Sequence, residues 1–138
     1  MAIEGTDGIV LLAGRALFGV VLAFMGLNHF QQREAMTGYA EHKGLPAPGF
    51  SVLASGLVLV AGGLSIATGV YPVVGAVVIA GFLLVSAGTM HDFWAVPEDQ
   101  QQDEMTQFLK NLVMAGGALV LAAVASQSWA YSVGLGLF

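Results

Sequence analysis

The sequence predicts an all-α membrane protein, an antiparallel bundle of four transmembrane helices with a short interfacial helix between the first and second spans. Three observations carry this. Hydrophobic residues make up 57% of the 138-residue chain and charged residues only 9%, against about 25% charged in a soluble domain. Four basic and nine acidic residues cannot give four helices a charged outer face. Four apolar segments also have the roughly 20-residue length that a bilayer core requires. They cover residues 9–30, 50–68, 73–90 and 105–126.

The first span contains a single charge, Arg15, and the second and third contain none. A turn at Gly69-Val70-Tyr71-Pro72 separates the middle spans, with Pro72 placed to open the third helix. The fourth span has Lys110 near its start. Residues 128–138 are apolar and too short to cross, so they are expected along the interface or against a partner. Between the first two spans, QQREAMTGYAEHKG reads as a polar helix over residues 33–43. It is closed by Gly44, Pro46 and Pro48, and it lies at the membrane surface. Residues 91–104 form the second polar connection and hold five of the nine acidic residues. Length allows one domain, residues 1–138. Thiol relays and thiolate metal sites are excluded because cysteine is absent. The scattered acidic charge leaves no surface for nucleic acid.

Lipid gives helices no apolar drive to associate, so small residues must allow close approach. Ala16, Gly19, Ala23 and Gly26 share one face of the first helix, and Ala115, Ala118, Ala122 and Ala125 one face of the fourth. Ala76, Ala80 and Ala87 do so on the third, while Ser51, Ser55, Gly62 and Ser65 mark the second. Leu121 is placed towards lipid. Continued past their ends, three stripes reach His29, His91 and Asn111. Helices alternating in direction bring those ends to one membrane face, beside Asn28, Asp92 and Lys110.

Ionisable groups at membrane depth are costly and commonly mark function. His29, His91, Asp92, Lys110 and Asn111 are therefore expected in one hydrogen-bonded cluster. A quinone would find donors there for its carbonyls, with Phe30, Phe93 and Trp94 as walls. Structural hydrogen bonding explains the histidine pair equally well, and Trp94 also suits an interfacial anchor. Asn28, His29, His91, Asp92, Trp94, Lys110 and Asn111 form the candidate ligand site. No metal site is expected, because the spacing fits no compact motif. Arg15 either snorkels to lipid phosphate, the preferred reading, or binds a polar group inside the bundle.

Several of these segments resemble the DoxX family of small four-helix membrane proteins. Gly14-Arg15 through Gly26-Leu27-Asn28-His29-Phe30 is similar to that family's first helix, and YAEHKGLPAP, residues 39–48, to its surface helix. His91-Asp92-Phe93-Trp94 resembles the polar-aromatic end of its third helix, and Phe108-Leu109-Lys110-Asn111-Leu112 the start of its fourth. The resemblance implies association with membrane oxidoreductase systems such as thiosulfate:quinone oxidoreductase, or with thiol handling and oxidative stress. Related four-helix proteins act as receptors or assembly factors.

The expected function is thus an accessory subunit of a membrane redox system in the cell membrane, with quinone as the candidate cofactor. The alternative is a non-catalytic scaffold that docks a peripheral or membrane protein, or a second copy of itself. Without cysteine or a nucleotide motif, the chain is not expected to be a complete enzyme. Arg33, Lys43 and Lys110 place both polar connections on the cytoplasmic side.

Overall fold

The computed structural model describes residues 2–136 and is almost entirely helical. Helix α1 spans Gly5–Gln31, α2 Arg33–His42, α3 Pro48–Thr68, α4 Pro72–Met90 and α5 Glu98–Val124. A 3-10 turn, Phe93–Ala95, links α4 to α5. Four of the five helices are long and apolar enough to cross a membrane. Two short strands, β1 (Ala2–Ile3) and β2 (Ser128–Trp129), pair in parallel and join the chain ends.

Helix α5 begins seven residues before the expected span because hydropathy marks the apolar stretch and not the helix. Glu98 and Asp99 occupy its first turn, where carboxylates favour the unpaired N–H groups. Pro72 stands at the start of α4 as its position in the sequence suggested. Gly69 ends α3 at φ 79°, and a Cβ there would fall 2.6 Å from the Cβ of Ser132. Only glycine suits both the dihedral and the space.

The tightest seam joins α1 to α3. A Cβ on Gly19 would collide with the carbonyl oxygen of Gly63, and one on Gly26 would meet that of Gly56 at 2.7 Å. Numbers rise along α1 as they fall along α3, and backbone lies on backbone. Helix α3 then packs on α4, where Gly62 faces Ile79 and Gly75 faces Ser65. Leu22, Leu59, Ile66, Ile79, Leu83, Ala115 and Ala118 form one buried cluster spanning all four long helices. Leu121, expected towards lipid, packs against that cluster. Its phase follows Ala118, three residues earlier, so it shares part of the inner face.

Two further expectations are corrected at the end of the bundle that carries both termini. Arg15 does not snorkel: it is 1% exposed. Its guanidinium donates to the carbonyls of Ala130 at 3.0 Å, Ala67 at 3.1 Å and Tyr131 at 2.8 Å. It also lies 5.1 Å from the centre of the Trp129 ring, a cation–π distance. The reason is helical phase. Arg15 precedes Gly19 by four residues and shares its inward face, so the charged head cannot reach the headgroups. Among the described residues no carboxylate pairs with it, and carbonyl dipoles and the Trp129 ring face offset the charge. Ala67 lies in the last turn of α3, where the helix dipole is negative.

The tail, in turn, packs on its own bundle. The Trp129 indole donates to the Val124 carbonyl at 2.9 Å, the Val133 N–H to Thr68 at 2.8 Å and the Tyr71 N–H to Leu135 at 2.8 Å. Residues 137–138 lie outside the described chain.

Two measurements check this packing. Gly19→Ala is expected to destabilise the protein in detergent by about 1–3 kcal/mol through overpacking. Gly14→Ala, with open space around its Cβ, is expected to stay within about 0.5 kcal/mol. Equal melting of the two variants contradicts the seam. Arg15→Leu is expected to cost about 3 kcal/mol or more, because charged hydrogen bonds are lost together. It is also expected to make the segment after Val124 protease-sensitive, and an intact tail in that variant contradicts the clamp.

Candidate functional site

At the other end of the bundle the polar residues sort into two groups. The first is an ion-paired network between α2 and the α4–α5 connection. His91 closes α4, where the backbone leaves the helix at φ −124°. Its Nδ1 lies 3.1 Å from Oε2 of Glu104. The other carboxylate oxygen of Glu104 accepts the Tyr39 hydroxyl at 2.7 Å, and the Met90 carbonyl sits 3.0 Å from the same hydroxyl. Lys43 donates to Asp92 at 2.6 Å and lies 4.0 Å from Glu104. Only 7% of the Lys43 side chain is exposed, and its ammonium lies 5.5 Å from the centre of the Tyr39 ring. Tyr39 and Lys43 are four residues apart and share one face of α2. That face, with buried Ala40, fastens the short helix to the bundle.

The second group lines a cavity of about 1150 Å³, larger than most small-ligand pockets. Ser55, Val58, Phe82 and Met114 are among its walls on α3, α4 and α5, and Met36, Tyr39 and Ala40 of α2 border it. His29, His91, Lys110 and Asn111 supply polar groups to the same cavity. The His29 end of α1 lies against α3 at Gly56, where a Cβ would fall 2.9 Å from the Cβ of His29.

The expected single cluster does not form. His91 and Asp92 belong to the network, whereas His29 uses Nδ1 on the Met25 carbonyl of its own helix at 2.9 Å. Asn111 is buried and donates to the Leu83 carbonyl at 3.3 Å, tying α5 to α4. Lys110 is exposed and has no ion-pair partner among the described residues. A carbonyl of its own helix satisfies His29, Glu104 of α5 satisfies His91 and an α4 carbonyl satisfies Asn111, so these side chains do not reach one another. Asn28, Asp92 and Trp94 do not line the cavity, nor do the expected walls Phe30 and Phe93; Phe50 and Phe82 do. Trp94 is 59% exposed and forms an edge-to-face trio with Phe93 and Phe108, centroids 5.2–5.7 Å apart.

Sequence reasoning passed over Tyr39, Lys43 and Glu104. The i, i+4 pairing of Tyr39 with Lys43 was the available signal, whereas nothing distinguished Glu104 from its acidic neighbours.

Partial burial, then the hydrogen bond and charge of Glu104 and the charge of Asp92, push the Tyr39 hydroxyl well above its ordinary ionisation near 10. A raised folded value means that this contribution to stability is full below the unfolded value. It is lost as pH climbs beyond it, because only the unfolded tyrosine then releases its proton. Between about pH 10 and 11, Tyr39→Phe is expected to leave the 295 nm phenolate absorbance unchanged. Loss of absorbance in that variant contradicts the network.

The family model for DoxX matches residues 10–92, which cover most of α1, the whole of α2, α3 and α4, and both His29 and His91. Comparison with curated proteins and with solved structures yields no match. The chain is a multi-pass membrane protein and belongs to the DoxX family.

Proposed function

We propose that this protein is a ligand-binding accessory subunit of a redox system in the cell membrane, holding a quinone-type lipid in the cavity beneath α2. The observation that carries this reading is the cavity itself: about 1150 Å³, walled mainly by apolar side chains, with His29, His91, Lys110 and Asn111 on its lining. A flat head group with a hydrocarbon chain matches that distribution, because the chain replaces apolar contacts while the head takes hydrogen bonds. Lys110 carries donors for a carbonyl oxygen. Val85 and Val113 line the cavity and are also 65% and 75% exposed. A ligand dissolved in the bilayer therefore reaches the cavity from the side. In this reading the four spans form an antiparallel bundle of one domain. Helix α2 lies at the cytoplasmic interface, and the polar connections face a soluble redox partner.

A second reading, association with another membrane helix or a second copy, is favoured by Gly14, Gly81, Gly88 and Gly116. All four would leave open space around a Cβ, and outward glycines on membrane helices permit close helix contact.

Binding of a decyl-substituted benzoquinone to the protein in nanodiscs tests the first reading. Ser86→Phe, which fills the cavity wall, is expected to abolish binding. Lys110→Met, which removes the donor for a quinone carbonyl, is expected to weaken it about fivefold to tenfold, the worth of one hydrogen bond. Trp94→Ala is expected to leave it unchanged. A folded Ser86→Phe variant that binds like the wild type contradicts the cavity reading.

A further inference from the structure

Both histidines that line the cavity have committed the same nitrogen. The Met25 carbonyl can only accept, so Nδ1 of His29 carries a proton. Glu104 uses one oxygen on Tyr39 and the other on His91. Although partial burial opposes it, the hydrogen bonds from Tyr39 and His91 and the charge of Lys43, 4.0 Å away, hold Glu104 below the ordinary carboxylate range, so it is ionised and Nδ1 of His91 is likewise the donor. In each ring the nitrogen left for a ligand is Nε2, which in the neutral imidazole is an acceptor. Asn111 spends its amide N–H on Leu83 and keeps its oxygen, a third acceptor. Lys110 is the one unpaired cation on the cavity lining among the described residues.

Charge distinguishes the two histidines. The groups facing His91 are Tyr39 and Lys43 from α2, Asp92 from the connection and Glu104 from α5. His29 of α1 and Lys110 of α5 share its cavity. With Tyr39 neutral, the hydrogen-bonded network holds one positive charge, Lys43, and two negative, Asp92 and Glu104. A proton taken up by His91 would bring the network to neutrality. His29 has only a peptide carbonyl behind it.

We propose that His91, oriented by Glu104, is a proton acceptor for the cavity ligand, and that this ligand is an amphiphile with a weakly acidic hydroxyl head of the phenol or hydroquinone class. The inference rests on the cavity reading above and specifies the form of ligand that the cavity prefers. On transfer, the ligand O–H bond breaks and an Nε2–H bond forms on His91. The head group keeps the electron pair as an oxyanion, which Lys110 offsets, and no electron changes hands. Glu104 touches no ligand and acts as a positioning residue that fixes the tautomer and stabilises the imidazolium.

The test compares 4-nonylphenol with its methyl ether, which has the same chain but no proton to give, on the full chain in nanodiscs by native mass spectrometry. Wild type is expected to bind the phenol about tenfold more tightly at pH 8, since a site built for a hydroxyl rejects an analogue that lacks it. His91→Phe is expected to bind both probes equally, and Glu104→Gln to weaken the preference for the phenol over its methyl ether. Equal binding of the two probes by wild type at pH 8, or a preference that survives His91→Phe, overturns the proton acceptor and leaves the cavity reading standing. Failure of both probes to bind overturns the two together. The wild-type comparison decides the matter even if a variant does not fold.

Discussion

The close approach of α1 to α3 is the constraint on which the rest of this structure depends. A bilayer offers helices no gain from burying apolar surface, so attraction must come from contacts between well-matched surfaces. Gly19 and Gly63, then Gly26 and Gly56, let two backbones touch where any side chain would separate them. That seam carries Arg15 to the C-terminal end of α3 and His29 to the N-terminal half of the same helix. One packing decision thereby builds both polar ends of the bundle.

The two ends solve the problem of charge at membrane depth in different ways. At Arg15 a lone cation is buried, and the chain brings carbonyl oxygens to it from α3 and from the tail. Its Nε has no partner among the described residues, while the indole of Trp129 covers the guanidinium. That end is closed and its charge is spent on structure. At the α2 end Lys43 pairs with Asp92, and Glu104 accepts from the His91 ring. The pairing leaves His91 lining a cavity that the apolar stripes do not fill.

Much of this was legible in the sequence, in proportion to how local each determinant is. Hydropathy located four long helices, and the i, i+3 and i+4 spacing of small residues identified Gly19, Gly26, Ala115 and Ala118 as inward. The same spacing also pointed to Arg15, four residues before Gly19, but the long side chain was assigned to the headgroups. Its true partners are carbonyls of residues 67, 130 and 131, which no local pattern connects to residue 15. His91 was identified from an extended stripe and Asp92 as its neighbour, whereas Glu104 was one acid among five in a polar connection. From Glu98 onward that connection is part of α5, whose phase aims Glu104 at α2. The expected link between His29 and His91 failed because each ring found a nearer acceptor, Met25 or Glu104.

The functional account turns on the protonation pattern of the imidazoles, and 15N spectra of the histidine rings report it directly. In the membrane-embedded protein above pH 8, His29 and His91 are expected to carry the proton on Nδ1. His42, exposed on α2, serves as the internal reference for an imidazole open to water. Nδ1 protonation at both cavity histidines, with the His91 signal altered by Glu104→Gln, is the result this structure requires. A proton on Nε2 of His91 would contradict it, since that ring could then offer a cavity ligand no acceptor.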